Sequence, residues 1–350
     1  MRVLMLGVYD LEGYSRGRII WKGLRKNRVD VNLLRPQDRF KYLRIAKRLL
    51  NRDFDVIIAT GKFVLLAAWL LKWWHRRPIV FDVFISDYET LVLDRKLVRE
   101  GSLKARLIWW VDRIAPELAT HSILDTEDNI GYFVEEFGLD REHFSVIPVG
   151  ADDTVFKCLP MPKSKETRVY FQGTYIPVQG VDVIVRAAEL LKHDKGIAFT
   201  LLGRGQTYID IRALANRLGV SINWLPFSPL NELAKQIASH HISLGIFGAH
   251  ERGIRAVPNK AYETIASCRA LITEDGPAPR RVFTDGKNAL LVEPGNPKAL
   301  AAAIRKLSKD KRLRDRMAKS GYALFRSRFS VEMIGKQMRD LLETILSRPS

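Results

Sequence analysis

Only two cysteines occur in this chain of 350 residues, Cys158 and Cys268. They give no disulfide framework and no metal-ligand spacing, so a reducing compartment is the default expectation. No secretory leader is legible. The apolar start, 1–8, is short and runs straight into Tyr9 and Asp10, which reads as a first buried strand. Long hydrophobic runs are missing too. The longest, 63–71, is stopped by Lys72 before Trp73 and Trp74, and a bilayer span takes about 20 residues. HExxH, GxSxG and Walker A patterns are absent. His240, His241 and His250 lack partners at ligand spacing, so no metal site is expected. Acids are scarce against bases: 39 Asp and Glu stand against 57 Lys and Arg, a net charge of +18.

What is present is a globular chain. A hydrophobic content of 47% argues against disorder, and the length suits two domains of roughly 150 residues. Short apolar runs alternate with longer helical patterns. Strands are expected at 2–8, 29–34, 55–60, 79–83, 121–125 and 144–149. The rhythm restarts at 168–172, 198–202, 222–225, 242–247, 270–273 and 290–292. Continuous apolar strands separated by helices imply parallel sheets covered on both faces. The Pro-bearing stretch 150–167 reads as the linker, and Ser330 as the N-cap of a last helix. The expected fold is therefore α/β, two tandem Rossmann-like, doubly wound domains facing across a cleft. Their expected bounds are 1–160 and 165–328, followed by a C-terminal helical segment, 329–350. In open parallel sheets ligands bind at the carboxyl ends of the strands, so sites belong in the loops that follow them.

The positive charge is uneven. Between Gly13 and Arg77, 17 Lys and Arg face four acids. Two basic segments with apolar stripes fall there, 40–52 and 62–77, the second ending in Trp73, Trp74 and two arginines. Such helices suit an anionic membrane surface. They also suit a sheet-packing role with the charges in water. No nucleic-acid motif accompanies them, so nucleic acid is not the expected partner.

The richest stretch is 247–274. A glycine-broken loop leads through Val257, Pro258, Asn259 and Lys260 into a helix, then an apolar strand. Pro fits the first turn of a helix, and the free N–H groups there, with the helix dipole, seat an anion. Lys260 adds a full charge, and Glu263 lies three residues on, on the same face. Arg252 and Arg255 bring the cations to three within nine residues. Together they would neutralise a diphosphate leaving group without a metal. Further turns could meet a ligand: Gly13 to Arg16 after the first strand, Gly173, Thr174, Gln179 and Gly180 in the matching turn of the second half, and Gly203-Arg204-Gly205. Arg204 could clamp a phosphate. Asp82 and Asp87 close the fourth strand, where a carboxylate could orient or deprotonate an acceptor hydroxyl; capping the next turn is the alternative. Asp53-Phe54-Asp55 spells DxD, but it leads into a strand instead of ending one.

Several pieces together resemble the family 4 glycosyltransferases, which have the two-Rossmann GT-B arrangement. They are FQGTYIPVQGVDVIVRAAELL at 171–191, LLGRGQ at 201–206, PNKAYETIASCRALITEDGPAPRRV at 258–282 and DGKNALLVEPGNPKALAAAI at 285–304. The resemblance implies retaining transfer from a nucleotide-diphosphate sugar, usually without a metal or other cofactor. It places the donor on the C-terminal domain and a glycan or lipid-linked acceptor on the N-terminal one, with the last helix crossing back to the first domain. It makes Glu263 the second glutamate of an E-x7-E pattern that contacts the ribose, and Gly173 and Gly180 the glycines near the phosphates. Three matches are lost. The first glutamate falls on Arg255, with Glu251 a possible substitute. The usual Arg and Lys fall on Thr174 and Gln179. The N-terminal histidine has no counterpart near 81–86, where Asp82 is the substitute. Arg204 and Lys260 with Asp82 then become the candidate catalytic groups, with the donor bound by Gly13, Gly173, Thr174, Gln179, Gly180, Arg204, Arg252, Arg255, Pro258, Asn259, Lys260 and Glu263. The expected protein is a cytoplasmic enzyme held at the inner membrane face. A binding protein on the same fold that has lost catalytic groups, and a sugar-nucleotide epimerase, stay open beside it.

Overall fold

The computed structural model describes residues 1–7, 14–34 and 41–347. All twelve expected strands are present, in two parallel sheets of six. The first holds β1 (Arg2–Gly7), β2 (Asp30–Leu34), β3 (Val56–Thr60), β4 (Ile79–Asp82), β5 (His121–Leu124) and β6 (Phe144–Val146), in the order β2-β1-β3-β4-β5-β6. The second holds β7 (Thr167–Gln172), β8 (Ile197–Leu202), β9 (Asn223–Leu225), β10 (Ile242–Leu244), β11 (Ala270–Glu274) and β12 (Leu290–Val292), ordered β12-β11-β10-β7-β8-β9. Strands β3 and β11 are buried along their whole length. Helices cover both faces, which is why these runs carry no polar alternation. Each sheet has the doubly wound order, with the sequence reversing direction at the first strand of its half.

Two compact units result. One is Met1–Gly150 with the segment from Val331 onward; the other is Ala151–Ser330. The last helix, Val331–Ser347, belongs to the first unit. It buries Ile334, Met338 and Leu342 against the helix Ser15–Lys26, and Asn27 donates a side-chain hydrogen bond to the Glu332 carbonyl at 2.9 Å. The helices cross where Gly23 meets Gly335. A Cβ on Gly335 would lie 2.1 Å from the Gly23 backbone, so only glycine permits this approach.

Two expectations need correction. Pro258 is not in the first turn: with φ −68 and ψ 149 it caps the helix Asn259–Ala266 from outside, because the residue's extended ψ is incompatible with a helical turn. The two cysteines are bonded to each other, Cα to Cα 4.9 Å, across 110 residues. The linker doubles back along the second unit, where the buried Arg269 guanidinium donates to the Leu159 and Pro160 carbonyls, each at 3.0 Å. Two isolated cysteines carry no spacing signal for such a fold-back. The DxD aspartates sit at the amino end of β3. There Asp55 accepts from the Arg2 backbone at 2.8 Å, and Asp53 pairs with Arg48 at 2.7 Å. Among the described residues no helix is long and apolar enough to cross a membrane.

Candidate functional site

Polar residues terminate the central apolar strands of the second unit, and they gather at its carboxyl edge. Gln172 ends β7 and Glu274 ends β11. Lys260 and Glu263 project from the helix Asn259–Ala266, and Gln179 from the short turn Pro177–Gln179. The Gln172 amide donates to Glu263 at 2.6 Å. Lys260 Nζ donates to the Gln179 side-chain oxygen and stands 4.0 Å from the centre of the Phe171 ring, a cation–π distance. Lys260 and Glu263 are only 7% and 6% exposed, and Glu274 is fully buried.

Burial sets the charge states. It drives the Lys260 amine down to about 7, with Glu263 and Glu274 opposing the shift. It pushes the Glu274 carboxyl up to about 9, with Lys260 pulling the other way. Neither carboxyl oxygen of Glu274 has a hydrogen-bond partner. Gly253 covers it so closely that a Cβ there would lie 2.8 Å from Oε2. A buried carboxyl without donors keeps its proton, and a buried amine loses one. An anion arriving at Lys260 would reverse that, since a nearby negative charge favours the ammonium.

Glycine turns line the same edge. Gly180 has φ +62, and a Cβ there would sit 2.4 Å from the Gly248 nitrogen. Gly203, at φ +131, would place its Cβ 1.9 Å from the Gly173 carbonyl oxygen. The two loops are stitched further by Tyr175 N–H to the Arg204 carbonyl at 2.9 Å. A Cβ at Gly173 would lie 2.8 Å from Lys260 Nζ. The structure thus brings together Gly173, Gln179, Gly180, Lys260 and Glu263, with Pro258 and Asn259 at the start of the helix. The other candidates stand apart. Thr174 is exposed. Arg204 is exposed with its guanidinium 5.6 Å over the Tyr208 ring. Arg255 pairs with Glu251 at 3.3 Å, so Glu251 is engaged one turn away from the buried cluster. Arg252 lies in the same short helix, Glu251–Ile254. Gly13 lies outside the described residues.

In the first unit, Asp82 ends β4 and is 2% exposed. Arg16 Nε donates to it at 2.7 Å and the Tyr14 hydroxyl at 3.2 Å, while Arg16 Nη1 reaches the Ile147 carbonyl at 2.5 Å. Asp125, just past β5, is buried and pushed upward by desolvation, and Asn129 donates to it at 2.7 Å. Asp87 pairs with Lys62 at 2.5 Å, and Lys62 also bonds the buried Asp112. Asp82 is therefore held rigidly by an arginine at the carboxyl edge of its sheet. Glu274 and Gln172 received no role from the sequence, and Arg16 only a place in a turn that could meet a ligand. The signal was available: ALITE and VYFQ end apolar strands on a polar residue at the ligand-binding edge.

Two doubly wound units, with glycine turns and buried charge at the carboxyl edge of the second sheet, define the GT-B class of proteins. Family profiles agree with that geometry. "Glycosyl transferases group 1" matches residues 160–324, and "Glycosyl transferase 4-like domain" matches residues 9–150. The chain belongs to the family 4 glycosyltransferases. It is 28% identical over 221 residues to a D-inositol 3-phosphate glycosyltransferase of Nocardia farcinica, covering 58% of this chain and 47% of that protein. It is 25% identical over 328 residues to an MMP alpha-(1->4)-mannosyltransferase of Mycolicibacterium hassiacum, covering 89% of this chain and 76% of the relative. Against the first of these the chain spans about half the relative's length. Among solved structures it resembles Anabaena HepE in complex with UDP, with TM-score 0.73 and 17% identity, covering 98% of this chain and 100% of the other. It also resembles a sucrose-phosphate synthase from Thermosynechococcus elongatus, with TM-score 0.75 and 14% identity over 99% of both chains. At these identities the structural likeness speaks for the fold.

Proposed function

We propose that this protein is a retaining, metal-independent glycosyltransferase. It moves a sugar from a nucleotide-diphosphate sugar to a glycan or lipid-linked acceptor at the cytoplasmic face of a membrane. The observation that carries this reading is the buried Lys260, Glu263 and Glu274 cluster beside the Gly173 and Gly180 turns. Lys260 and the N–H groups opening its helix take the diphosphate, with Arg204, Arg252 and Arg255 supplying further positive charge. These groups stabilise the charge that develops on the leaving diphosphate, an effect often worth several kcal/mol. Glu263 takes the ribose hydroxyls. Glu274, buried beneath Gly253, acts through Lys260, whose charged form it favours. Asp82, fixed by Arg16, orients the acceptor hydroxyl. With no free carboxylate assigned as a nucleophile, the acceptor hydroxyl attacks the face the diphosphate leaves and gives its proton to a departing phosphate oxygen, which retains the anomeric configuration. The D-inositol 3-phosphate glycosyltransferase among the relatives, and the phosphatidyl-myo-inositol mannosyltransferase of Mycobacterium leprae at 25% identity, support an acceptor that carries phosphate or lipid. The bound UDP of the HepE structure supports a nucleotide donor.

The test is a thermal-shift screen over UDP-, GDP- and ADP-sugars, followed by product analysis. Stabilisation by one donor, with hydrolysis or transfer that survives EDTA and keeps the anomeric configuration, is the expected result. Failure of every donor to bind would sink the reading. One observation favours a second reading. Arg255, Thr174 and Gln179 stand where the family pattern has glutamate, arginine and lysine, which would suit a sugar-nucleotide or polyanion binding protein with little turnover. Tight donor binding without turnover under any acceptor would establish that alternative.

A further inference from the structure

The first unit has a second opening, at the edge of its sheet away from Asp82. Asp55, Pro78 and His121 stand at the amino ends of β3, β4 and β5, and they line a pocket of about 930 Å³, within the range of ligand sites. Its walls are Trp69 and Trp73, and Ile345 and Leu346 of the last helix close it. Lys72, Arg76 and Arg77 line the rim. Among the described residues no carboxylate pairs with these three cations. Asp55, the acid in the lining, is already engaged by the Arg2 backbone and guanidinium, at 2.8 and 3.1 Å.

The rim is built, not frayed. The helix Lys72–His75 ends in a left-handed Arg76 at φ 50. The buried His75 ring locks that turn: it accepts from the Arg77 N–H at 3.0 Å and contacts the Ala68 carbonyl at 2.9 Å. Burial holds His75 below its ordinary value, so the ring adds no competing charge. Beyond the rim, Trp73 is 91% exposed and Phe63 70%, with Leu66 and Leu70 on the same face of the helix Lys62–Leu70. The neighbouring helix Leu103–Glu117, tied on through Lys62 and Asp112, exposes Leu107, Trp110 and Ile114. An apolar face of this size is uncommon on a protein surrounded only by water.

We infer that this pocket binds an anionic phospholipid of the bilayer surface, its phosphate on Lys72, Arg76 and Arg77 and its acyl chain between Trp69, Trp73 and the end of the last helix. The inference deepens the membrane part of the function proposed above. Charge complementarity selects the occupant. Three cations without a carboxylate partner among the described residues, beside tryptophan and aliphatic surface, match an anionic headgroup at the water–hydrocarbon boundary. A nucleic acid would leave the apolar walls unused. Opposite ends of one sheet would then divide the work, the carboxyl edge for Asp82 and its acceptor, the amino edge for the membrane.

Vesicle flotation of the full chain tests it, with phosphatidylcholine vesicles either plain or mixed with phosphatidylglycerol. The wild type should partition to the anionic vesicles and scarcely to the neutral ones. Lys72→Gln, Arg76→Gln and Arg77→Gln combined should lower that partition on the order of 100-fold, since each basic residue near an anionic surface contributes roughly a factor of five. Trp73→Ala, at a fully solvated position, should lower it about tenfold with an unchanged thermal midpoint. A short-chain phosphatidylglycerol below its micelle threshold should quench tryptophan fluorescence in the wild type and not in the triple variant. Equal binding to neutral vesicles overturns the inference, as does undiminished binding by both variants. Quenching by inorganic phosphate alone would overturn it in favour of a free-phosphate site. Binding of the donor is measured on the same proteins without vesicles. Its loss in the wild type would count against the transferase reading alone, whatever the flotation shows.

Discussion

Replacing Glu274 by glutamine should make this protein more stable and less active. The carboxyl is fully buried, neither oxygen has a hydrogen-bond partner, and desolvation moves it from its ordinary 4.5 to about 9. Its folded-state value is raised, so the folded form binds the proton more tightly than the unfolded chain does. The stability that proton contributes is complete below about pH 4.5 and drains away as pH rises towards 9. The maximum slope is about 1.4 kcal/mol per pH unit, so the site would lose about 3 kcal/mol by neutral pH. Lys260 runs in the opposite sense. Its value falls from 10.5 to about 7, so it regains stability as pH rises from about 7 to 10.5, and the two slopes offset each other above neutrality. Between about pH 5 and 7 Lys260 is silent, and the buried His75, His240 and His241, all held below their ordinary value, titrate alike in both proteins. The difference in stability between Glu274→Gln and the wild type should therefore grow in the variant's favour as pH rises through this window. At neutral pH the variant should be roughly 1–3 kcal/mol more stable, after a discount for the amide's own buried polar atoms. Urea denaturation at several pH values reads this directly. Donor turnover should fall only severalfold, because Glu274 acts on the donor through the charge of Lys260 and not by contact. A variant less stable than the parent, or one that keeps the parent's pH slope, would refute the reasoning by showing that the carboxylate is ionised and partnered.

Other consequences are as direct. Lys260→Met should weaken donor binding about tenfold to a hundredfold with little cost in stability, and calorimetry on the best donor of the screen measures both. Because the free amine titrates near 7, wild-type donor affinity should fall as pH rises above about 7. Binding should also take up a proton, visible as a dependence of the calorimetric heat on buffer ionisation. Gly335→Val should cost about 3 kcal/mol or more, because the branched side chain would force the last helix off the Gly23 backbone; a thermal melt and protease sensitivity of the C-terminal segment report it. Reduction of the bond between Cys158 and Cys268 should lower stability by up to about 5 kcal/mol, given the 110-residue loop it closes; denaturation with and without reductant compares the two forms. An unchanged midpoint would mean that Arg269 alone holds the linker in place.

The strands were legible because a parallel sheet covered on both faces demands short unbroken runs such as VIIAT and ALIT, whereas the longer apolar run at 63–71 has helix length and is a helix. Lys260, Glu263 and the glycine turns were legible because local pattern marks a helix start and a tight turn. What escaped depended on contacts between distant residues. Glu274 looks like the end of a strand until Gly253 is seen to cover it, and Arg16 looks like one of many surface bases until Asp82, 66 residues away, is seen to hold it. Pro258 was misplaced by one position because its preset φ suits both the cap and the first turn, while ψ decides between them. The cysteine pair was invisible for want of any local trace of the fold-back.

The interrupted path of the first unit has a bearing on how the molecule is made. Residues 331–347 supply the helix that seals Ser15–Lys26, and the entire second unit is synthesised before them. An elongating chain therefore carries the Gly23 surface uncovered for about 300 residues of translation, while the second unit, continuous in sequence, is free to fold first. Maturation of the first unit is thereby made conditional on completion of the second, and an internally truncated product would betray itself through that bare helix.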